Sequence, residues 1–257
     1  MAKAVADVDS GSNQGGFTTE GGNVTGFSTM HDSGTGGSPS LGNFAFFPYA
    51  SCVGGDLDGC KYPKKERKIH YKPESVKATP GYFGIELQSG VAAEMTTAHH
   101  TSLFRFKFPS SGDNNPLLLL DLTDLSDSRQ DNATIHVDEA TGRMTGSARF
   151  NPSFGSGNYI AYFCADFKGA SIRENGIFVN SRASASVKDL KINRSINGYP
   201  LPGGGLIRFS ENPADGILAR IAVSYISSDQ ACSNAEAEIP DFDFTATHTA
   251  AEDAWRE

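Results

Sequence analysis

The chain has 257 residues, enough for one large β domain or two small ones with a substantial hydrophobic core. Its formal net charge is −8, so it offers no electrostatic reason to bind nucleic acid or an anionic membrane. No apolar run approaches the ~18 residues of a transmembrane helix. The sequence therefore predicts a soluble protein with neither a nucleic-acid nor a membrane partner.

The first informative element is a glycine-rich loop that follows a short strand. Residues 26–37 read GFSTMHDSGTGG. Glycines allow close backbone approach to a ligand, and imidazole, carboxylate and hydroxyl groups supply hydrogen bonds for a polyhydroxylated ligand. A sugar- or anion-binding loop is one interpretation, and a tight surface turn is the other. The candidate ligand-binding residues are His31, Asp32, Ser33, Gly34, Thr35 and Gly36.

The four cysteines bear on the cellular compartment. Cys52 and Cys60 bracket a glycine-rich loop, which a disulfide would stabilise by about 2–3 kcal/mol on the chain-entropy model. Their spacing, with no nearby histidine, matches no zinc site. Cys164 and Cys232 are interpreted as two buried free thiols, although their pairing stays open.

Three N-glycosylation sequons begin at Asn23, Asn132 and Asn193. Together with the predicted disulfide they favour a secreted parent protein, even though no hydrophobic signal segment follows Met1. A basic run at 61–72 (KYPKKERKIHYK) is interpreted as a solvated loop.

Most of the chain has a hydrophobic period of two, which is typical of half-buried strands. The clearest cases are 103–108 and 217–227, with Tyr225 placed on the apolar side of the second. Turn signals include 88–90, 140–142, Asn175-Gly176 and 202–205. These features predict an all-β fold, a two-sheet antiparallel β-sandwich with the 17 phenylalanines packed between the sheets. Further strands are predicted at 44–47, 83–87, 91–97, 117–121, 134–137, 143–150, 159–167, 171–179 and 206–209.

Helical signal is confined to the C-terminal end. Ser228 is a candidate cap for a helix over 229–238, which Pro240 would stop. Residues 249–257 contain good helix formers, and Trp255 lies where it would bury little surface. We therefore expect a sandwich over 1–240 and a linker or helical segment over 241–257.

Three carboxylates are weighed as acid or base groups. Asp32 is the best candidate because His31 could orient it, although a loop-capping role is the simpler interpretation. Glu86 and Glu94 alternate within strands and are expected to face solvent. The sequence assigns no catalytic residue.

Two groups are considered as metal ligands and set aside. Asp121, Asp124 and Asp127 recur every three residues, but they lack the glycine and terminal glutamate of a calcium-binding loop. A solvated exit from a strand is the preferred interpretation. His99 and His100 are adjacent, so in a strand they point to opposite faces and cannot share a metal ion.

Several ordered motifs resemble one family. The GFSTMHDSGTGG segment, followed by SLGNF at 40–44, resembles the SGTG-containing segment in the N-terminal domain of glycoside hydrolase family 92, the calcium-dependent exo-α-mannosidases. IELQSGVAAEMT at 85–96 is similar to the family's LxxGVxAExT strand pair. Residues 103–109 resemble its HRYxFP segment, with Leu-Phe-Arg in place of His-Arg. Residues 221–240 resemble its GISYxSxxxAxxNxxxEIP passage.

The resemblance implies a supersandwich-type N-terminal domain from a fungal-like secreted member, truncated at both ends. Residues 1–9 are similar to an internal stretch of the family, and 241–257 to the linker that leads into an (α/α)6 barrel. Family members hydrolyse α-mannosides with inversion, which needs two carboxyls ~6.5–9.5 Å apart. The resemblance places both carboxyls, and the residues around the calcium, mainly in the barrel.

These implications define the expected function. The chain is expected to contribute substrate-pocket loops to an α-1,2-mannosidase-like enzyme acting on α-mannosides and mannose-rich N-glycans, with the helical barrel as its partner. By itself it is expected to be inactive. The alternative is a free-standing, mannose-recognising sandwich module without hydrolase activity.

Overall fold

The computed structural model describes residues 2–9, 16–31, 42–110, 115–122, 130–151, 156–193 and 201–256. Within these ranges the fold is built almost entirely from antiparallel strands. The strands are β1 (Val5–Val8), β2 (Asn23–Ser28), β3 (Met30–His31), β4 (Gly42–Asn43), β5 (Ala45–Tyr49), β6 (Ile69–His70), β7 (Lys77–Thr79), β8 (Tyr82–Glu86), β9 (Ala92–Thr97), β10 (Thr101–Lys107), β11 (Leu117–Asp121), β12 (Gln130–Val137), β13 (Met144–Phe150), β14 (Tyr159–Lys168), β15 (Ile172–Val179), β16 (Arg182–Ser184), β17 (Asp189–Asn193), β18 (Gly203–Phe209) and β19 (Ile217–Ser224). The α-helices are α1 (Lys64–Arg67), α2 (Ser228–Glu238) and α3 (Phe244–Ala254).

Two large sheets form the predicted sandwich. The first has the order β1-β2-β5-β11-β18-β15-β16, with β6 also paired to β2. The second has the order β17-β12-β13-β14-β19-β10-β9-β8-β7. A separate two-stranded ladder joins β3 to β4. The predicted all-β antiparallel sandwich with a short helical C-terminal segment is confirmed.

Phenylalanine side chains fill much of the space between the sheets, as the composition predicts. Phe104 and Phe106 of the second sheet and Phe46 of the first are fully buried. The Phe46 ring lies 5.6 Å from Phe104 and 6.5 Å from Phe106, both edge-on. Burying each such ring contributes roughly 1.5–3 kcal/mol, so this core is a main source of stability.

The outer face of the first sheet is covered by residues 51–69, which we call the loop cover. The Cys52–Cys60 disulfide closes the beginning of this segment. Tyr62 is fully buried against the sheet and stacks on Phe178 at 5.1 Å. Arg67 is also buried. The interpretation of the basic run as a solvated loop is therefore wrong for these side chains, since the run packs a second apolar layer on the sheet.

The outer face of the second sheet is covered by α2 and α3, which we call the helical cover. A Cys164–Cys232 disulfide joins β14 to α2, so the interpretation as free thiols is wrong. Arg220 of β19 is buried and bonds the backbone oxygens of Ala235 and Ile239 at the end of α2, at 3.2 and 2.7 Å. The helix is thus fixed by a covalent bond and by a buried guanidinium.

Several element boundaries differ from the sequence prediction. Asn175-Gly176, predicted as a turn, lies inside β15, where the Asn175 amide donates to the Glu139 carbonyl oxygen at 3.0 Å. The strand predicted to run to residue 227 ends at Ser224, and α3 begins at Phe244 rather than at residue 249. Strands β1 and β17 were not predicted: β17 (DLKIN) does alternate polar and apolar residues, but the two strands are only four and five residues long.

Within the described ranges, none of the helices combines the length and the apolar character that crossing a bilayer requires.

Candidate functional site

The predicted ligand-binding loop begins and ends on the β3–β4 ladder. Met30 pairs with Asn43, and His31 pairs with Gly42. The two ends of the segment 32–41 are therefore held side by side by backbone hydrogen bonds. Of the predicted binding residues, His31 lies in β3, whereas Asp32, Ser33, Gly34, Thr35 and Gly36 lie outside the described residues.

The base of the loop is tightly packed. The buried Thr29 hydroxyl donates to the Ser102 hydroxyl at 2.6 Å, which ties the chain before β3 to β10 of the second sheet. A Cβ atom at Gly42 would lie 1.8 Å from Ser28 Oγ and 2.8 Å from Asp7 Oδ2. Because a side chain does not fit there, only glycine allows β4 to approach β2 this closely.

The residue that leaves the ladder is conformationally strained. Phe44 has a φ of 54°, in the left-handed region that non-glycine residues rarely occupy. Its ring is buried, with its centroid 4.6 Å from that of Phe163 and 6.0 Å from that of Phe150. Packing in the core holds this conformation, which fixes the direction in which the chain leaves the loop.

An aromatic and aliphatic rim lies beside the same ladder. Tyr225 is 63% exposed and Ile226 is 74% exposed. The Tyr225 hydroxyl lies 3.4 Å from the Met30 sulfur, and its ring centroid is 6.0 Å from that of Tyr159. The sequence analysis placed Tyr225 on the buried face. The predicted cap, Ser228, is wrong: the Ser227 side chain accepts from Gln230 N and caps α2, so the strand must stop earlier, and this cap was the signal that could have located the rim.

The strand carboxylates are paired rather than simply facing solvent. Glu94 accepts two hydrogen bonds from Arg105, at 2.7 and 2.8 Å, and one from the Tyr82 hydroxyl at 3.0 Å. Glu86 is ion-paired with Lys72. The expectation that both glutamates are solvent-facing therefore needs correction, because each lies on the outer face of the sheet in contact with a cation.

These contacts shift the titration of the group around Glu94. Burial acts to raise the pKa of Glu94, but the hydrogen bonds and charge of Arg105 outweigh it and lower the pKa. Burial, followed by the charge of Glu94, raises the pKa of Tyr82 to about 12. An anion held by an arginine in this way is a poor proton donor at neutral pH, which disfavours Glu94 as a general acid.

The aspartate series at the end of β11 also differs from expectation. Asp121 is buried and paired with Arg67, so it is not a solvated exit, while Asp124 and Asp127 lie outside the described residues. His100 pairs with Glu238 at 2.6 Å. In the part of the chain that the structure describes, no three His, Cys, Asp or Glu side chains are grouped to hold a metal ion. These residues do not fit a calcium site, which needs six to eight oxygen ligands.

The chain is similar to proteins of one glycosidase family. The model of the glycosyl hydrolase family 92 N-terminal domain matches residues 1–224. A protein described as an uncharacterized secreted glycosidase from Arthroderma benhamiae is 49% identical over 265 residues, covering all of this chain and 34% of that protein.

Solved structures share the fold. A family GH92 α-mannosidase from Bacteroides thetaiotaomicron is similar with a TM-score of 0.77 at 21% identity, over 99% of this chain and 33% of that one. A family GH92 inverting mannosidase from the same organism gives a TM-score of 0.74 at 18% identity, over 99% of this chain and 31% of that one. The chain thus spans about a third of the length of these relatives.

Proposed function

Because the chain belongs to the N-terminal domain of glycosyl hydrolase family 92, we propose that it is the sugar-binding domain of a calcium-dependent, inverting exo-α-mannosidase. Its substrates in this proposal are α-1,2-linked mannosides and mannose-rich N-glycans. The observation that carries the proposal is the β3–β4 ladder, which holds both ends of the segment 32–41, with its candidate binding residues 32–36, on a packed base. A rigid base limits the entropy that the loop loses when it binds a small sugar.

The loop offers the chemistry that a mannoside needs. Its hydroxyls and backbone amides donate to or accept from sugar hydroxyls, and the Asp32 carboxylate is a charge-assisted acceptor. The glycines at 34 and 36 permit close backbone approach. The exposed Tyr225 ring lies beside Met30 at the base of the loop, where it offers an apolar surface to a sugar.

The catalytic carboxyls and calcium ligands belong, in this proposal, to an (α/α)6 barrel that is the partner of this domain. Support comes from the two strand glutamates that were candidate acid or base groups, since Glu94 is bound by Arg105 and Glu86 by Lys72, and from the relatives, which are about three times longer. Inverting hydrolysis needs a free acid and a free base across the scissile bond. No step is assigned to residues of this chain beyond binding and orienting the sugar.

The parent protein is secreted in this proposal. Two disulfides, Cys52–Cys60 and Cys164–Cys232, are typical of an oxidising compartment. The Arthroderma benhamiae relative, described as a secreted glycosidase, agrees with this location.

Calorimetric titration of the purified chain with α-1,2-mannobiose, together with an assay of released mannose with and without calcium, tests the proposal. We expect weak binding and no mannose release. Asp32→Ala and Gly34→Val should abolish binding, whereas Asp189→Ala, an exposed residue on the far edge strand β17, should leave it unchanged. Calcium-stimulated turnover by the chain alone would overturn the assignment of catalysis to the barrel. Tight binding without turnover would instead favour a free-standing mannose-recognising module.

A further inference from the structure

The three sequons lie in different environments. Asn23, the first residue of β2, donates its side-chain amide to both carboxylate oxygens of Asp9, at 3.2 and 3.3 Å. Its backbone N–H also donates to Asp9 at 2.7 Å, and Lys68 bonds the same carboxylate at 2.8 Å. The amide nitrogen that would accept a sugar is therefore already engaged in a charged network.

The other two sequon asparagines face each other. Asn132 of β12 is directly opposite Asn193 of β17 in the ladder register, so both side chains project from the same face of the sheet. Their neighbours Ala133 and Ile192 are buried in the core, which places the two asparagines on the outer face. The helical cover packs on strands β8–β10, β13, β14 and β19, and it leaves this end of the sheet open.

The two sites are not equivalent. Asn193 is exposed and is the last residue of β17, the edge strand of the sheet in the described part of the chain. Asn132 is half-buried, and its cross-strand neighbours are Asn193 on one side and Arg149 on the other. Cross-strand Cβ atoms are about 5 Å apart, which leaves no room for two sugar rings side by side.

We propose that the protein carries an N-linked glycan on Asn193, that Asn132 stays unmodified while that glycan is present, and that Asn23 is not modified. The inference rests on the secreted location proposed above. In the reaction, Asn193 Nδ2 forms a bond to the anomeric carbon of an oligosaccharide donor linked to a lipid pyrophosphate. The anomeric C–O bond breaks, the lipid pyrophosphate leaves with the electron pair, and the amide proton passes to a base of the transferring enzyme.

A glycan at this position has a structural consequence. Edge strands present unpaired backbone groups that can pair with another chain. In the described part of the chain β17 is the edge strand, and a glycan on Asn193 projects from its end, beside an open groove of about 530 Å³ whose lining includes Thr134, His136 and Lys191. It therefore shields the end of the sheet that the helical cover leaves open.

The test is secretion of the chain from a yeast host behind a heterologous signal peptide, followed by intact mass and glycopeptide mapping. We expect one glycan per molecule, located on Asn193. Asn193→Gln and Ser195→Ala should both remove the glycan from Asn193. Because Ser195→Ala keeps the Asn193 side chain, the same result in both variants would show that the sequon is what directs the modification. Asn23→Gln, the matched control, should leave the mass of the glycan unchanged.

Three outcomes would overturn the inference. They are a glycan on Asn23, molecules that carry glycans on both Asn132 and Asn193, and a correctly folded secreted chain without any glycan. The readout does not depend on mannoside binding, so this inference and the proposed sugar-binding role fail independently.

Discussion

The loop cover and the helical cover both pack on the outer face of a sheet, but different interactions hold them in place. Each is held by one disulfide, which lies within the loop cover but joins the helical cover to β14. The loop cover adds an apolar layer around Tyr62 and one fully buried ion pair, Arg67–Asp121. The helical cover combines the buried guanidinium of Arg220 with partly exposed polar contacts, such as the Arg143–Glu236 ion pair and the His100–Glu238 hydrogen bond. A buried pair fails when one partner is removed, whereas partly exposed pairs respond to pH and salt.

The largest effect is expected from Arg67→Ala. Arg67 Nε donates to the Thr25 carbonyl oxygen at 2.8 Å, and Nη1 donates to the Tyr62 carbonyl oxygen at 3.0 Å and to Asp121. Its loss leaves the buried Asp121 carboxylate without this cation, at a cost of roughly 3–5 kcal/mol. Chemical denaturation measures the change in the free energy of unfolding.

The matched control for this prediction replaces both partners. The double variant Arg67→Met with Asp121→Leu removes both charges and keeps a similar volume, so it should recover most of the lost stability. Equal instability of the single and double variants would show that packing, rather than the ion pair, holds the loop cover.

The two disulfides should contribute different amounts to the free energy of unfolding. Removing Cys164–Cys232, which spans 68 residues, should cost about 4.4 kcal/mol on the chain-entropy model, whereas removing Cys52–Cys60, which spans 8, should cost about 2.5 kcal/mol. Thermal unfolding of Cys164→Ala/Cys232→Ala and of Cys52→Ala/Cys60→Ala tests the order. A larger loss of stability on removing Cys52–Cys60 would mean that this disulfide also maintains the packing of the loop cover in the folded state.

Arg220→Met should have an intermediate effect. It removes the bonds to the two carbonyl oxygens at the end of α2 and to Asp166, which keeps its 2.6 Å bond to Arg143. Because Asp166 retains one cation, we expect a loss of roughly 2–3 kcal/mol in denaturant unfolding. Lys191→Met, an exposed residue of β17 outside the helical cover, is the control and should change stability by less than about 0.5 kcal/mol. Similar losses in both variants would contradict the role of Arg220 in fixing α2.

The sandwich was predictable because its signal is local. Alternation in 103–108 and 217–224 places every second side chain in the core, and turn residues separate the strands. The loop cover and the helical cover could not be predicted from the sequence in the same way. The burial of Arg67 depends on Asp121, 54 residues away, and the Cys164–Cys232 pair is 68 residues apart. No local pattern reports such contacts.

The same difference between local patterns and long-range contacts applies to the candidate site. The glycine, serine and threonine pattern at 26–37 predicts a loop, and the structure adds the ladder that holds the two ends of the segment 32–41. The sequence analysis did not find the steric need for Gly42 or the rim at Tyr225, since both follow from the approach of distant strands. The roles of His31 and Asp32 stay predictions.

The smallest effect concerns pH and is specific to the helical cover. Burial acts to raise the pKa of Glu238, but hydrogen bonds from the backbone and side chain of His100 outweigh it and lower the pKa. A lowered folded-state pKa means that the stability contributed by Glu238 is fully present above its ordinary value of 4.5 and is lost as the pH falls through the folded value. The difference in Tm between the wild type and Glu238→Gln should therefore shrink as the pH falls below about 4.5. Asp189→Asn, which removes the exposed pair with His136 at the uncovered end of the sheet, is the control and should show little difference at any pH. A Glu238→Gln difference that grows as the pH falls would contradict the assignment of this carboxylate as an anion that ties α2 to the turn before β10.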